Sequence, residues 1–468
     1  MLSILFFLSV AYPSRYYFLN DDFEHIPLAA KGNFIFGSFA RPIGDLSLWF
    51  DNKIWGKNAF GYHLTNIIIH LINSYFVYLL ATQLFKLYTN GRDIFLKSWC
   101  AAMVFLIYAF HSEPVLWIIC RTGSLSFLFF LLACLCYLKR NNIFSFLFSL
   151  LFFGFGLLSY ESTWIYPAIA FFISATDIFL KRKKWSSEWI FPVATFLFFI
   201  TYLICLKMIV GNIFSDYAMH NFYSFNISRL FLNYNSLLAR TGLPYMNNSG
   251  LFSLIYFVSI AVISSVIFIL YKRKKISPLS GLLIFAFLIS PLPAISLGIN
   301  THNSESERYI YLPSMFCILL IIEIMFLLFS NKNLLTVMLT LFLLFHGYLF
   351  YRSAQSFSFA GDVIKKSLSA INTYSSVNVI HVINRPIQYK GAIMFRSDFQ
   401  NALNWICSDC RYNKIDTISS FEYKRLAAFH IEKYKLDSLT KDFYKIKSAV
   451  NVNDMILNWT DSSLIIIK

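Results

Sequence analysis

Asn20-Asp21-Asp22-Phe23-Glu24-His25 places three carboxylates and a histidine directly after the first apolar run, Leu2 to Leu19. Carboxylates accept protons and hold cations. Water at the edge of an apolar slab keeps such charges soluble, and the slab behind them makes their fields strong. A helix cap or a solvated loop uses the same residue types, so the cluster by itself does not choose between chemistry and structure. Other polar groups follow. His63, Asn66, His70 and Asn73 fall on one helical face, and in a spanning helix that face must meet protein or water. A hydrogen-bonded helix seam is the simpler reading for the deeper pair, His70 and Asn73. His111-Ser112-Glu113-Pro114-Val115 precedes Arg121, Glu161 follows Ser159-Tyr160, and Glu307-Arg308 precedes Tyr309 and Tyr311. Each arginine is either an anion site or half of an ion pair: Arg121 with Glu113, Arg308 with Glu307 or Glu305.

The elements that carry these residues are apolar. Of 468 residues, 57% are hydrophobic and 14% charged, which is far from soluble composition. Repeated runs of about 20 apolar residues match a bilayer core of roughly 30 Å. The chain reads as an all-α polytopic membrane protein with a bilayer as its surroundings. Leu2 to Val10 has no basic flank or small-residue cleavage site and reads as a retained first span. The net charge of +16 does not point to nucleic acid, because much of it sits in short clusters such as Lys139-Arg140, Lys181–Lys184 and Lys272–Lys275. Spans are expected near 2–19, 61–88, 98–111, 123–138, 143–160, 163–180, 189–210, 251–271, 279–297, 309–330 and 334–351. With these eleven and a cytoplasmic N-terminus, the basic clusters fall inside. Asp21, Glu113, Arg121, Glu161 and Arg308 then fall at outer ends. Asp177 is expected to pair with the Lys181–Lys184 cluster, and Glu323 needs a partner.

Two non-spanning regions remain. In the first outer loop, 20–60, Arg41-Pro42 opens a segment where Ile43, Leu46, Leu48, Trp49, Phe50, Ile54 and Trp55 alternate with Asp45, Asp51 and Lys53. It reads as an amphipathic helix at headgroup level. The tail, 352–468, changes composition and is expected outside as a small α/β domain. Val377–Ile383 reads as a buried strand, and Phe399–Ile406 and Tyr423–Tyr434 as helices. Cys407 and Cys410 form a lone CxxC, for which a disulfide is preferred over a metal and two plain thiols are nearly as well favoured.

One carboxylate pair, scattered arginines and lipid-facing helices on one side suit glycosyl transfer from a polyprenyl-phosphate sugar. The phosphate leaves without an acid, while the acceptor hydroxyl needs a base. A glycoside hydrolase would need two carboxyls in separate acid and base roles. Arginine suits the phosphate through its planar fork.

Asp21-Asp22 resembles the acidic motif of GT-C glycosyltransferases. The match is closer to the transmembrane O-mannosyltransferases that carry TPR repeats and to their bacterial relatives. Arg41-Pro42 resembles the family's Arg-Pro. Tyr62-His63-Leu64 with Asn66 and His70, His111-Ser112-Glu113-Pro114-Val115 with Arg121, Leu158-Ser159-Tyr160-Glu161 and Glu307–Ser314 are similar to its later motifs, in order. The resemblance implies an inverting hexosyltransferase; the span count places its site on the outer face, and the absence of TPR repeats favours a bacterial plasma membrane over the endoplasmic reticulum. It implies Asp21 as base and Asp22 as its assistant, orienting the acceptor or holding a cation. Arg121 and Arg308 would take the donor phosphate, with Arg41, His63, His111, Glu113, Glu161 and Glu307 lining the site. The acceptor would be a glycan, lipid or protein. No cofactor is implied; a divalent cation at Asp21/Asp22 is the less expected alternative. Tyr160 replaces a family lysine, Thr122-Gly123 replaces an acidic stretch, and the tail lacks TPR repeats. Rival readings are another polyprenyl-lipid polymerase or ligase and a transporter or flippase. A transporter would show broken helices at mid-depth. A polymerase or ligase would place its cavity at loop 211–250, not against residues 20–25.

Overall fold

Among the described residues the long apolar runs form helices, as a chain must where no water is present to satisfy backbone groups. The computed structural model describes residues 2–34, 40–89, 93–180, 182, 188–213, 226–273, 276–329, 331–374, 376–407, 411–434 and 454–467. The helices are α1 (Leu2–Val10), α2 (Asp22–Ala30), α3 (Pro42–Trp55), α4 (Ala59–Tyr88), α5 (Ile94–Leu106), α6 (Ser112–Leu116), α7 (Arg121–Tyr137), α8 (Ile143–Leu157) and α9 (Tyr166–Phe179). They continue with α10 (Ile190–Val210), α11 (Ile227–Gly242), α12 (Ser249–Lys272), α13 (Pro278–Ile289), α14 (Tyr311–Leu328), α15 (Lys332–Ile371) and α16 (Phe399–Ile406). Polar caps start them: Asn58, Asn142, Asn248, Ser277 and Asn331 each accept a backbone N–H of the first turn.

Six of the described helices are long and apolar enough to cross a membrane: α4, Ile118–Tyr137, α10, α12, Glu307–Leu328 and α15. The pair Ile94–Leu106 and Ala109–Leu116 makes a seventh if its 52° bend lies within one span. Leu2–Arg15, α8 and Pro278–Ala294 are apolar but shorter. This is a multi-pass membrane architecture. Phe196, Leu197 and Ile204 of α10 and Leu254 and Phe257 of α12 point outward, away from the protein. That is stable only against lipid.

The forty-residue α15, roughly 60 Å at helical rise, joins the two regions. Val337, Leu341 and Leu344 in its first half are exposed, whereas Ala360, Val363, Ile364 and Leu368 are buried under the C-terminal sheets. The composition change at residue 352 therefore falls inside a helix, not at a linker. The strands are β1 (Val379–Ile383), β2 (Arg385–Tyr389), β3 (Ala392–Ile393), β4 (Lys414–Thr417), β5 (Ser420–Tyr423), β6 (His430–Tyr434), β7 (Met455–Trp459) and β8 (Ser463–Ile467). One sheet runs β4-β1-β7-β8-β6, antiparallel only at β7–β8, and the other β3-β2-β5. Trp459 Nε1 donates to Ser367 Oγ (3.1 Å), tying the larger sheet to α15.

Several expectations change. Tyr423–Tyr434 is not a helix: Tyr423 ends β5 and His430–Tyr434 is β6, each paired with a remote strand. Asp177 pairs with Arg140 (2.5 Å), while Lys181, Lys183 and Lys184 lie outside the described residues. Glu323 accepts from Ser277 Oγ and lies near Lys97. Cys410 also lies outside the described residues; Cys407 is buried.

Candidate active site

The loop between α1 and α2 sets the two aspartates apart. Asp22 is fully buried. Its Oδ2 accepts from Leu19 N (2.8 Å) and its Oδ1 from Ile119 N (3.1 Å). Trp117 Nε1 donates to Leu19 O (3.3 Å) across the same seam. Asp22 thus pins the loop to the turn before α7, and its oxygens are spent on backbone amides. The expectation that it orients an acceptor or shares a cation with Asp21 does not match this position. Asp21 is only partly buried and lines a cavity of about 410 Å3, together with His25, Arg41, Asp45, Tyr160 and Arg308. Burial and the charge of Asp398 push its carboxyl up to about 6, against the pull of Arg308.

Arg308 is held by Glu113: its Nη1 donates to Oε1 (2.7 Å) and its backbone N to Oε2 (2.8 Å). Its guanidinium lies over the Tyr309 and Trp117 rings at 4.8 and 5.7 Å. Glu113 is fully buried, whereas the Arg308 side chain keeps 26% exposure and reaches the cavity. Arg41 is the second cation of the wall. Its Nη2 donates to both Glu161 oxygens (2.9 and 3.1 Å), and its guanidinium stacks 4.4 Å from the Tyr160 ring centre. Tyr160, the departure from the family lysine, therefore supports a cation in place of supplying one.

Arg121 does not reach this cavity. It is fully buried and bound to Asp51 (2.5 Å), Asn66 Oδ1 (2.8 Å) and Tyr62 O (2.8 Å). Its partner is Asp51, not Glu113. Glu307 is likewise structural, paired with buried Arg240 (2.7 Å) and accepting from Ser112 Oγ (2.9 Å). His63 Nε2 lies 3.3 Å from Tyr17 O, and His111 bridges Phe105 O (2.9 Å) and Ser314 Oγ (2.7 Å); both are buried in packing. The seam reading holds for the deep pair: His70 contacts Tyr311 OH (2.6 Å), and Asn73 donates to Ser124 O (2.9 Å).

The expected amphipathic segment forms helix α3. Asp45, Leu48 and Asp51 share its buried face, and Leu46, Phe50 and Ile54 are exposed. Asp45 lines the cavity from this helix, and its Oδ2 has no hydrogen-bond partner. Burial, opposed by Arg41, pushes its carboxyl up to about 7. Asp45 and Asp398 are the site groups that sequence reasoning missed. In the sequence Asp45 appears only as one of the polar positions of an amphipathic helix, and Asp398 carries no local motif.

A cleft of mixed character, lined by Leu157, Trp164, Tyr202 and Leu206 and by Glu161 and Ser162, shares Arg41, Tyr160 and Tyr309 with the cavity. Trp164 also borders a groove of Phe171, Phe196 and Phe285 on α9, α10 and α13. A polar chamber thus opens toward the lipid-facing surface. It lies against residues 21 and 25; residues 214–225 of the rival loop lie outside the described residues.

With this geometry in hand, comparison with known proteins gives partial matches. A stretch of 103 residues, 22% of the chain, is 29% identical to a protein O-mannosyl-transferase of Caenorhabditis elegans and covers 14% of it. Matches to protein O-mannosyl-transferases of Homo sapiens (31% over 104 residues) and Mus musculus (35% over 101 residues) each cover 21% of this chain and 11% of the relative. No protein-family model matches the chain, and no solved structure matches it. The matches support a distant, glycosyltransferase-like relationship confined to about a fifth of the chain.

Proposed function

We propose that this protein is an inverting membrane glycosyltransferase that moves a sugar from a polyprenyl-phosphate donor to an acceptor hydroxyl on the outer face, with Asp21 as general base. The observation that carries the reading is the cavity where Asp21, Arg41 and Arg308 converge, which adjoins a mixed cleft that meets an apolar groove at Trp164. A lipid-linked sugar phosphate has the same division: an apolar tail, an anion and a polar head. In this reading the tail lies along the cleft, and Arg308 with Arg41, in the place assigned to Arg121, faces the phosphate. The unpartnered Oδ2 of Asp45 accepts from a sugar hydroxyl.

The acceptor oxygen attacks the anomeric carbon. The bond from that carbon to the phosphate oxygen breaks, its electron pair goes to the phosphate, and the acceptor proton goes to Asp21. One displacement inverts the anomeric centre. Charge growing on the leaving phosphate meets fixed guanidinium donors in a site shielded from bulk water. The relatives' printed activity makes a mannosyl lipid the first donor to assay and a protein hydroxyl the first acceptor.

The topology belongs to the same proposal. It has eleven spans, with the shorter apolar helices crossing as well, and with 20–60 and the C-terminal domain from 352 outside. The membrane is a bacterial plasma membrane. Mass spectrometry of cell-surface glycans and lipid-linked sugars tests the reading in cells with the gene, without it, and with Asp21→Asn. Loss of one glycan with accumulation of its lipid donor, in both the deletion and the variant, is expected. Unchanged glycans in both would overturn it.

A further inference from the structure

Asp22 faces away from the cavity, so the sequence neighbour of Asp21 is not its working partner. The carboxyl within hydrogen-bonding reach of Asp21 is Asp398, on the C-terminal domain. Asp398 stands at the start of α16 and is nearly buried. Its oxygens are fixed by Asn401 Nδ2 and Ser397 Oγ, both at 3.2 Å. Ser397 N donates to Asn20 Oδ1 (3.1 Å), and Asn20 Nδ2 donates to both Ser397 Oγ (3.2 Å) and Asp21 Oδ1. Asn20 N donates to Met394 O (2.9 Å), and Asn20 adopts a φ of 31°, a conformation asparagine tolerates better than most residues.

The same segment grips the opposite wall. Ser304 Oγ donates to Lys390 O (2.9 Å), and Arg396 donates to both Glu305 oxygens (2.5 and 3.2 Å). Gly391, at φ +97°, packs so close that an added Cβ would sit 2.7 Å from Glu305 N. Residues 390–398 therefore bridge the Asp21 loop and the loop that ends in Arg308.

We propose that the C-terminal domain completes the active site: Asp398 is the second carboxylate of the working acidic pair, a positioning residue that fixes the Asp21 carboxyl at the cavity. This rests on the reading of Asp21 as base. The charged and titratable groups around Asp21 are Asp398, Glu24, Arg308, Arg396, Asp22 and the Cys120 thiol, with His25, Arg41, Asp45, Tyr160, Glu305 and Tyr309 lining the same cavity. Burial and the Asp398 charge raise the Asp21 carboxyl to about 6. A base near 6 is better matched to its task than one at an ordinary carboxylate value, yet it is still ionised at neutral pH.

The test uses the full-length protein in lipid nanodiscs and dicyclohexylcarbodiimide, which modifies protonated carboxyls in apolar surroundings. Labelling of Asp21 is read by peptide mass spectrometry across pH. In the wild type the midpoint should lie near 6. Asp398→Asn should lower it by about one pH unit or more, by removing a like charge, and Asp398→Glu should restore it. Asp398→Ser, which preserves a helix-capping residue, serves if the Asn variant does not fold. A midpoint unmoved in a folded variant overturns the proposal. If donor turnover is measurable, Asp398→Asn should lower kcat more than it raises the donor KM. Because labelling needs no substrate, the two readings fail separately. A shifted midpoint in a protein that transfers no sugar removes the glycosyl-transfer reading alone. A fixed midpoint in an active enzyme removes this one alone.

Discussion

Replacing Asp21 with Asn removes a charge and a proton acceptor while preserving shape. Its Oδ1 can still accept from Asn20, and its new Nδ2 can donate to Asp398. The folded state raises the Asp21 carboxyl from 3.8 to about 6. The folded protein therefore holds a proton at pH values where the unfolded chain has lost it. The sign follows: stability is highest below the unfolded value, falls as pH rises from about 4 to 6, and is level above that. The full displacement corresponds to about 3 kcal/mol, and partial solvent exposure trims it to roughly 2 kcal/mol. Asp21→Asn should therefore be more stable than wild type by roughly 2 kcal/mol at about pH 8, and about equal at pH 4. Thermal-denaturation midpoints of both proteins, in identical nanodiscs at the two pH values, check this. A variant no more stable at alkaline pH, or an advantage that persists undiminished in acid, would refute the reasoning. The same variant should have lost transfer, so the residue that costs stability is the one that does the chemistry.

Arg308→Ala should weaken donor binding by about 1.5–3 kcal/mol, the usual cost of losing a charge-assisted contact, with Arg308→Lys recovering part of it. Titration with a short-chain polyprenyl-phosphate sugar reads this directly. Arg121→Ala should instead strand Asp51 in the interior at a cost of about 3–5 kcal/mol. The loss should appear as a lower folded yield with activity per folded molecule unchanged. For topology, Lys31→Cys and Lys424→Cys, on a background without native cysteines, should both react with an impermeant maleimide from outside. Labelling of one without the other would break the eleven-span arrangement.

The apolar runs were legible in the sequence because a bilayer leaves the chain few choices, and helix Phe399–Ile406 forms where its pattern placed it. Helix α3 shows how far pattern reading goes. Its two-faced composition is plain, but lipid takes Leu46, Phe50 and Ile54 outward while Asp45 and Asp51 turn in. The pattern gives two faces, but not that the acidic one lies against protein. Arg121 could not be separated from Arg308 by sequence: each stands near a glutamate, Glu113 for one and Glu307 for the other, and only the fold brings Asp51 to Arg121 and Glu113 to Arg308. The Asp21–Asp22 pair looked like one unit because adjacency in sequence was the only distance visible. The loop turns the two carboxyls apart and supplies Asp398 from the far end of the chain. Strands β5 and β6 were missed for the same reason, since each is stabilised by pairing with a distant strand.

The central claim is sugar transfer at the Asp21 cavity, and turnover by the purified protein tests it most directly. Wild type and Asp21→Asn, reconstituted in the same lipid, would be given a polyprenyl-phosphate mannose and a panel of hydroxyl acceptors, with released polyprenyl phosphate and glycosylated product both measured. The account predicts stoichiometric release and transfer by the wild type, rising with pH through about 6, and neither by folded Asp21→Asn. Equal turnover by the two proteins, or transfer by the variant with the wild-type pH profile, would contradict it.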